Sequence, residues 1–275
     1  MKNTFKNLNY SKWYKENSFE KLLHCKKKKE DIDKKVQKGI YDNVDINNGT
    51  EYPPETDDLL RLHYLVRTRK VLNILEFGIG KSTIIFADAL KKNKEEYADY
   101  VLKNIRREDP FMVYTIDNFK EWISNCKKQI PKELKEYVSF SYSEVEMTTF
   151  NGRACTMYKK LPNVCPDLIY LDAPSQFGVV GDVRGISTES VNRLPMSADI
   201  LLLEPFLLPG TLIVVDGRTA NARFLKNNLQ REWEYYHFVN EDIHLFELVE
   251  SPLGELNAKQ IKFCLGEDSN CLKQR

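Results

Sequence analysis

Val71-Leu72-Asn73-Ile74-Leu75-Glu76-Phe77-Gly78-Ile79-Gly80-Lys81-Ser82-Thr83 is the stretch on which the reading of this chain turns. Val71, Leu72, Ile74 and Leu75 form a short apolar run, the pattern of a parallel strand covered on both faces. Glu76 stands where that strand ends. Gly78 and Gly80 lack a Cβ, so the backbone can turn sharply there and approach a ligand closely. Ser82 or Thr83 then opens a helix, whose free N–H groups and positive dipole end favour an anionic group. Strand, acid, glycine turn and helix together predict a small-molecule site at the carboxyl edge of an α/β sheet.

Phosphate-loop chemistry does not fit this turn. Gly80-Lys81-Ser82 supplies the end of a Walker A pattern, but Leu75 stands where its first glycine belongs. The dinucleotide fingerprint needs a third glycine at position 83, where Thr83 stands, which weakens a nicotinamide-dependent oxidoreductase. Glu76-Phe77-Gly78-Ile79-Gly80 resembles the first motif of the class I S-adenosylmethionine-dependent methyltransferases, an acid followed by alternating glycines. An ordinary strand-to-helix turn without a ligand is the plain alternative, so the rest of the chain must decide.

Three further landmarks follow in order. Phe111-Met112-Val113-Tyr114-Thr115-Ile116-Asp117 reads as a strand ending in an acid, placed to accept hydrogen bonds from both ribose hydroxyls of an adenosine. Asp117 also suits the cap of a helix over residues 119–128. Pro166-Asp167-Leu168-Ile169-Tyr170-Leu171-Asp172-Ala173-Pro174 is a second buried strand with an acid at its tip. Pro209-Gly210 leads into Thr211-Leu212-Ile213-Val214-Val215-Asp216-Gly217-Arg218, a third. An antiparallel hairpin over residues 233–249, turning at Asn240-Glu241-Asp242, closes the pattern; it is the usual ending of the methyltransferase sheet. The resemblance covers residues 55–250. It implies a Rossmann-like, seven-stranded, mostly parallel sheet with a C-terminal antiparallel hairpin. Residues 1–54 read as an N-terminal helical extension and 251–275 as a C-terminal tail.

Between these landmarks the pattern is looser. Residues 84–105 give one long helix or two short ones, interrupted at Lys91-Lys92-Asn93-Lys94. Residues 138–150 read as one strand, and Asn151-Gly152 as a hairpin turn that returns the chain over 153–158. An apolar helix is expected over 198–208. Thr56 or Asp57 caps the helix before the central strand. The connection 176–197 is long enough to be functional.

The resemblance assigns the cofactor to Glu76, Gly78, Gly80, Ser82, Asp117 and Asp172, and places Ser143 and Glu144 near the adenine. The tip at Asp172-Ala173-Pro174 is closer to that of O-methyltransferases of small molecules than to the Pro-Pro-aromatic motif of amino-group methyltransferases. A hydroxyl of a small molecule is therefore the implied acceptor, with Asp172 and Asp216 as catalytic residues. They act either by proton abstraction or by holding Mg²⁺. Metal-dependent members carry an Asn after the second Asp, and Gly217 stands there. Asp182, Arg184 and Arg218 are candidates for acceptor binding. Arg218 would suit a phosphate or carboxylate, as on a phosphorylated sugar. A catalytically silent cofactor-binding or interaction module is the alternative.

The chain has 275 residues and a formal charge of +1, which gives no global drive toward nucleic acid. No apolar run approaches the length of a membrane span. The start of the chain lacks a signal-peptide core, and six scattered cysteines without a C-x-x-C pair suit a reducing compartment. A cytoplasmic location is expected. The lysine run 26–29 reads as a solvated helix face. The four histidines, His24, His63, His237 and His244, receive no functional role.

Overall fold

A computed structural model describes residues 1–23, 55–190 and 192–273. The lysine run 26–29, the polar loop 42–50, His24 and Cys25 lie outside the described residues.

The strand predicted around Ile74 is β1 (Asn73–Phe77), buried at every position. It is an inner strand, third from one edge of a seven-stranded sheet. β2 (Met112–Asp117) and β3 (Val138–Tyr142) extend it on one side, both parallel. On the other side stand β6 (Leu168–Leu171) and β8 (Leu212–Asp216), also parallel. The edge is the hairpin of β9 (Trp233–Phe238) and β10 (Ile243–Leu248), with β10 antiparallel to β8. The order is β3-β2-β1-β6-β8-β10-β9. The chain reverses its direction of travel at β1, so a crevice opens between β1 and β6 at the carboxyl ends of the strands. This is the Rossmann-like sheet with an antiparallel ending that the sequence predicts.

A second, three-stranded sheet stands beside it. β4 (Val145–Phe150) and β5 (Arg153–Tyr158) form a hairpin across Asn151-Gly152, both with positive φ, as a tight hairpin turn demands. β7 (Val179–Val180) joins β4 in parallel. The single strand expected over 138–150 is thus two strands in different sheets. Ser143 marks the break: its N–H donates to Asp117 O, and its hydroxyl accepts from Lys160 N–H, which turns the chain out of the main sheet.

The helices fill both faces. α1 (Tyr10–Glu16) and α2 (Phe19–Leu23) pack with α3 (Thr56–Thr68) and α4 (Lys81–Asn104) on one face, and Phe19 joins the same core as β1. α4 is one continuous helix of 24 residues. Asn93 does not interrupt it, because its side-chain amide donates to Val66 O and Val71 O at the start of β1 and so is satisfied while fully buried. α5 (Lys120–Gln129) follows β2. α6 (Asp199–Leu203) is shorter than the helix expected over 198–208: Pro205 has no N–H to give, and the chain tightens into a 3₁₀ turn at Glu204–Phe206. α7 (Thr219–Lys226) follows β8. α3 starts one residue earlier than expected, with Glu55 rather than Thr56 or Asp57 at its cap position.

The tail carries α8 (Glu255–Leu265), whose Phe263 enters the main core. It meets the sheet at Asp167. That buried carboxylate accepts from Leu72 N–H at 3.1 Å and Asn73 N–H at 2.9 Å, and from the side chains of Arg107 and Gln260. One carboxylate therefore joins β1, β6, the segment before β2, and α8 at the edge opposite the crevice. Among the described residues, no helix is long and apolar enough to cross a membrane.

Candidate active site

The crevice is a cleft of about 430 Å³. Its floor is the Gly78–Ser82 turn, its sides are the tips of β2, β6 and β8, and its roof is the first turns of α3. The four landmarks of the sequence meet there: Gly78 and Gly80, Asp117, Asp172 and Asp216 all line it.

The turn is held by the acid that ends β1. Glu76 is fully buried, and its two oxygens accept from Ser82 Oγ at 2.6 Å and Thr83 Oγ1 at 2.7 Å. Thr83 Oγ1 in turn accepts from Gly80 N–H at 3.2 Å. Burial pushes the Glu76 carboxyl up to about 8, against the pull of those hydroxyls. Glu76 thus positions the turn and does not itself line the cleft; Ser82 does line it while donating to Glu76.

The two glycines differ. Gly78 has φ +109°, and a Cβ there would lie 3.4 Å from Ala173 Cβ, so both conformation and space call for glycine. Gly80 is extended, and a Cβ there would meet nothing within 4 Å. Its missing side chain leaves room in the cleft.

Asp117 is buried at the tip of β2. Its Oδ1 accepts from Phe119 N–H at 2.7 Å, which turns the chain ahead of α5; the helix itself starts at Lys120 with Phe119 at its cap position, so Asp117 is not the helix cap expected, and burial pushes its carboxyl up to about 7. Trp122, one turn into α5, and Phe177, after β6, supply aromatic surface to the cleft.

At the other end the acids gather. Asp216 Oδ2 accepts from Tyr170 Oη at 2.8 Å. Burial first, then the negative charge of Asp172, pushes Asp216 up to about 6. Asp172 is enclosed by the walls of the cleft yet leaves 57 % of its side chain open to it; that enclosure raises its pKa to about 6, while Arg218 pulls it down. Asp58, on α3, joins them. Burial and then Asp216 raise it to about 7, although Arg61 is hydrogen-bonded to it. Tyr10 backs Arg61 by accepting from its guanidinium at 3.1 Å. The lining carries Glu55, Asp58, Asp117, Asp172 and Asp216 against Lys81 and Arg218. Lys81 is hydrogen-bonded to Gln129.

Of the other predicted residues, Arg218 reaches the cleft and the rest do not. Arg218 lines the cleft, but its Nη2 donates to Pro174 O at 2.7 Å and its Nε lies 3.8 Å from Asp172 Oδ1, so the guanidinium is already committed to the protein. Asp182 and Arg184 do not reach the cleft lining. Asp182 Oδ1 accepts from Gly185 N–H at 2.6 Å, and Arg184 sits at φ +56° in the same exposed turn. Ser143 and Glu144 also stay outside it: Ser143 serves the chain turn, and Glu144 pairs with Lys159 on the surface. Asp58 and Tyr170 were missed by the sequence reading. Asp58 belongs to an acidic stretch that reads as a helix start, and Tyr170 sits inside an apolar strand pattern.

The donor set fits Mg²⁺ poorly. A phenol holds one oxygen of Asp216, a guanidinium faces Asp172, and Gly217 brings no third oxygen. Among the described residues these two acids gather no third His, Cys, Asp or Glu ligand atom within 4.8 Å.

No family model and no curated protein matches the chain. Solved structures do resemble it. An SAH-bound methyltransferase from Podospora anserina matches with a TM-score of 0.44 at 10 % identity, over 90 % of this chain and 92 % of its own. An O-methyltransferase from Bacillus cereus in complex with SAH matches with a TM-score of 0.41 at 13 % identity, over 74 % and 86 %. The O-methyltransferase TomG from Streptomyces achromogenes, in complex with SAM, matches with a TM-score of 0.39 at 12 % identity, over 88 % and 99 %. Likenesses of this size say nothing about activity or acceptor. By its own sheet order, antiparallel ending and acid-tipped strands, the chain has a Rossmann-like fold of the kind found in class I S-adenosylmethionine-dependent methyltransferases.

Proposed function

We propose that this protein transfers a methyl group from S-adenosylmethionine to a hydroxyl of a small-molecule acceptor. The observation that carries the reading is the single cleft in which the open Gly80 turn, buried Asp117 and the acids of β6 and β8 converge. Its charged groups are mostly acids, which suits a cofactor whose reacting centre is a sulfonium cation. Its volume of about 430 Å³ lies within the range of small-molecule sites. Gly80 leaves space where any other residue would place a Cβ. Asp117, fixed at the tip of β2 by Phe119 N–H and lining the cleft, is the acid that would meet the ribose hydroxyls.

When bound, S-adenosylmethionine supplies an electrophilic methyl group to an in-line displacement, so the chain's own task is chiefly alignment. The Gly78–Ser82 turn and Asp117 would hold the adenosine end, with Trp122 as an apolar wall. Asp172, beside Gly78 and open to the cleft, would hold the positive end. Asp216 would take the acceptor proton. Tyr170 fixes its Oδ2, leaving Oδ1 for the acceptor hydroxyl. A carboxyl raised to about 6 is still mostly ionised at neutral pH and is a stronger base than an ordinary aspartate. With Arg218 committed and acids in excess, the acceptor is neutral or cationic rather than phosphorylated.

Calorimetric titration with S-adenosylhomocysteine, with and without Mg²⁺ and with NADH and ATP as controls, tests this reading. Micromolar binding of S-adenosylhomocysteine alone is expected. Gly80→Val should abolish it without loss of stability, because the added side chain fills the cleft and strains no backbone. Asp117→Ala should weaken it by about tenfold or more, the loss of a charge-assisted hydrogen bond. Absence of binding in the folded protein, or binding indifferent to both substitutions, would overturn it.

A further inference from the structure

The edge hairpin carries a second cluster of chemically capable side chains. His237 on β9 and His244 on β10 are directly opposite partners in the antiparallel register. Their rings stack at 3.8 Å between centroids. Asp242 ends the turn that joins the two strands. One ligand atom from each of the three lies within 4.8 Å of the others. His244 is fully buried, with Thr219 Oγ1 3.0 Å from its Nε2 and Tyr235 Oη 3.0 Å from its Nδ1. His237 Nε2 is also buried, but has no hydrogen-bond partner among the described residues. A buried ring nitrogen left without a partner calls for an explanation, and an ion supplies one.

We propose that His237, Asp242 and His244 form a binding site for a divalent transition-metal ion of the zinc type. Two imidazoles and one carboxylate favour Zn²⁺, Co²⁺ or Ni²⁺ over Mg²⁺ or Ca²⁺, which take oxygen ligands. Zinc bonds of about 2.0–2.2 Å in a tetrahedron place ligand atoms about 3.4 Å apart. The stacked rings hold their lone pairs in near-parallel planes, so the half-buried His237 ring turns out of the stack to aim Nε2 at the ion, and the exposed Asp242 swings in to close the distance. Thr219 Oγ1 would release His244 Nε2 and turn to Asp242 Oδ1, which already lies at 3.5 Å. Water completes the fourth position.

The site has a structural purpose. Asp242 O accepts from Gly217 N–H at 2.9 Å, and Thr219 opens α7. An ion here ties β9, β10 and their turn together, and that turn holds the segment carrying Asp216 and Arg218 through Gly217 N–H. The site is separate from the cleft and does not depend on the methyltransferase reading.

Titration of tag-free, chelator-stripped protein with Co²⁺, followed by the visible absorption of the tetrahedral ion, tests the proposal, with Zn²⁺ calorimetry alongside. One equivalent should bind, and Zn²⁺ should displace the Co²⁺ signal. His237→Gln and Asp242→Ala should each lower affinity at least about tenfold. Zn²⁺ should raise the melting temperature of the parent protein but not of the variants. Circular dichroism in chelator establishes that both variants keep the parent fold. If the folded parent shows no saturable binding near one equivalent, the proposal falls. It falls equally if both variants bind as the parent does, because the ion then sits elsewhere.

Discussion

Replacing Glu76 by Gln should change the pH dependence of stability in a defined way. In the folded chain burial holds the Glu76 carboxyl near 8, whereas unfolded it titrates near 4.5. Between those values the folded state binds one proton more than the unfolded state. Stability therefore falls as pH rises through this window and is flat outside it. A rise from 4.5 to about 8, at about 1.4 kcal/mol per pH unit, is about 5 kcal/mol. That is a large part of the stability of an ordinary domain, about 5–15 kcal/mol. Glutamine cannot titrate. Its oxygen can accept from one of the two hydroxyls and its amide can donate to the other, so the contacts with Ser82 and Thr83 survive. Urea unfolding of both proteins at pH values spanning about 5 to about 8 isolates the effect, because the other raised acids titrate in both and cancel in the difference. The other raised acids make both proteins lose stability over this range, but the parent should lose about 3–4 kcal/mol more, the part of the full effect that falls between about pH 5 and about pH 8. Parallel curves would refute the argument. So would a variant that becomes less stable than the parent at the alkaline end, since the folded state would then need the carboxylate charge.

Other outcomes follow from particular contacts. Gly78→Ala should cost about 1–3 kcal/mol in thermal or urea unfolding, because φ +109° is strained for any residue with a Cβ; Gly80→Ala should cost nearly nothing by the same measure. Asp167→Ala should cost about 3–5 kcal/mol in urea unfolding, since it leaves the buried Arg107 without its partner and two backbone N–H groups without an acceptor. A loss below about 1 kcal/mol would show that water replaces the carboxylate. Asp216→Asn should lower kcat far more than it alters S-adenosylhomocysteine affinity by calorimetry, if the carboxylate accepts the acceptor proton; equal losses in both would assign it to cofactor binding instead.

What could be read from the sequence was what short-range pattern encodes. The apolar run before Glu76, the acids that close β2, β6 and β8, and the Asn151-Gly152 turn are each local, and each lies where its pattern predicts. Patterns that depend on distant partners misled. Alternation continues through Ser143 and Glu144, but alternation does not say to which sheet a strand belongs. Lys91-Lys92-Asn93-Lys94 looks like a break because the carbonyls that satisfy Asn93 belong to residues 66 and 71. Asp182 and Arg184 have the right chemistry for a ligand, yet the turn they occupy satisfies itself locally through Gly185. Asp58 shows the converse: a residue that reads as helix-start composition reaches the cleft because α3 crosses its mouth.

The small sheet of β4, β5 and β7 has a consequence for how this protein could change its specificity. Val179 and Val180 pair with Val145 and Glu146, and at the far end of the same connection Thr156 exchanges hydrogen bonds with Met196 and Ala198. The loop 181–195 is thus clamped at both ends to a hairpin that holds no part of the glycine turn, and Gln176, just ahead of it, is tied to that loop through Thr188 and Ser190. Gly178 ties this region to the residues after β2: its carbonyl accepts from Asn118, and it has no room for a Cβ against Phe119. Provided Gly178 is kept, Gln176, Phe177 and the loop behind them can be rewritten while the half of the cleft built on β1 and β2 stays as it is, a division of labour that lets selection, or an engineer, reshape one wall without disturbing the other.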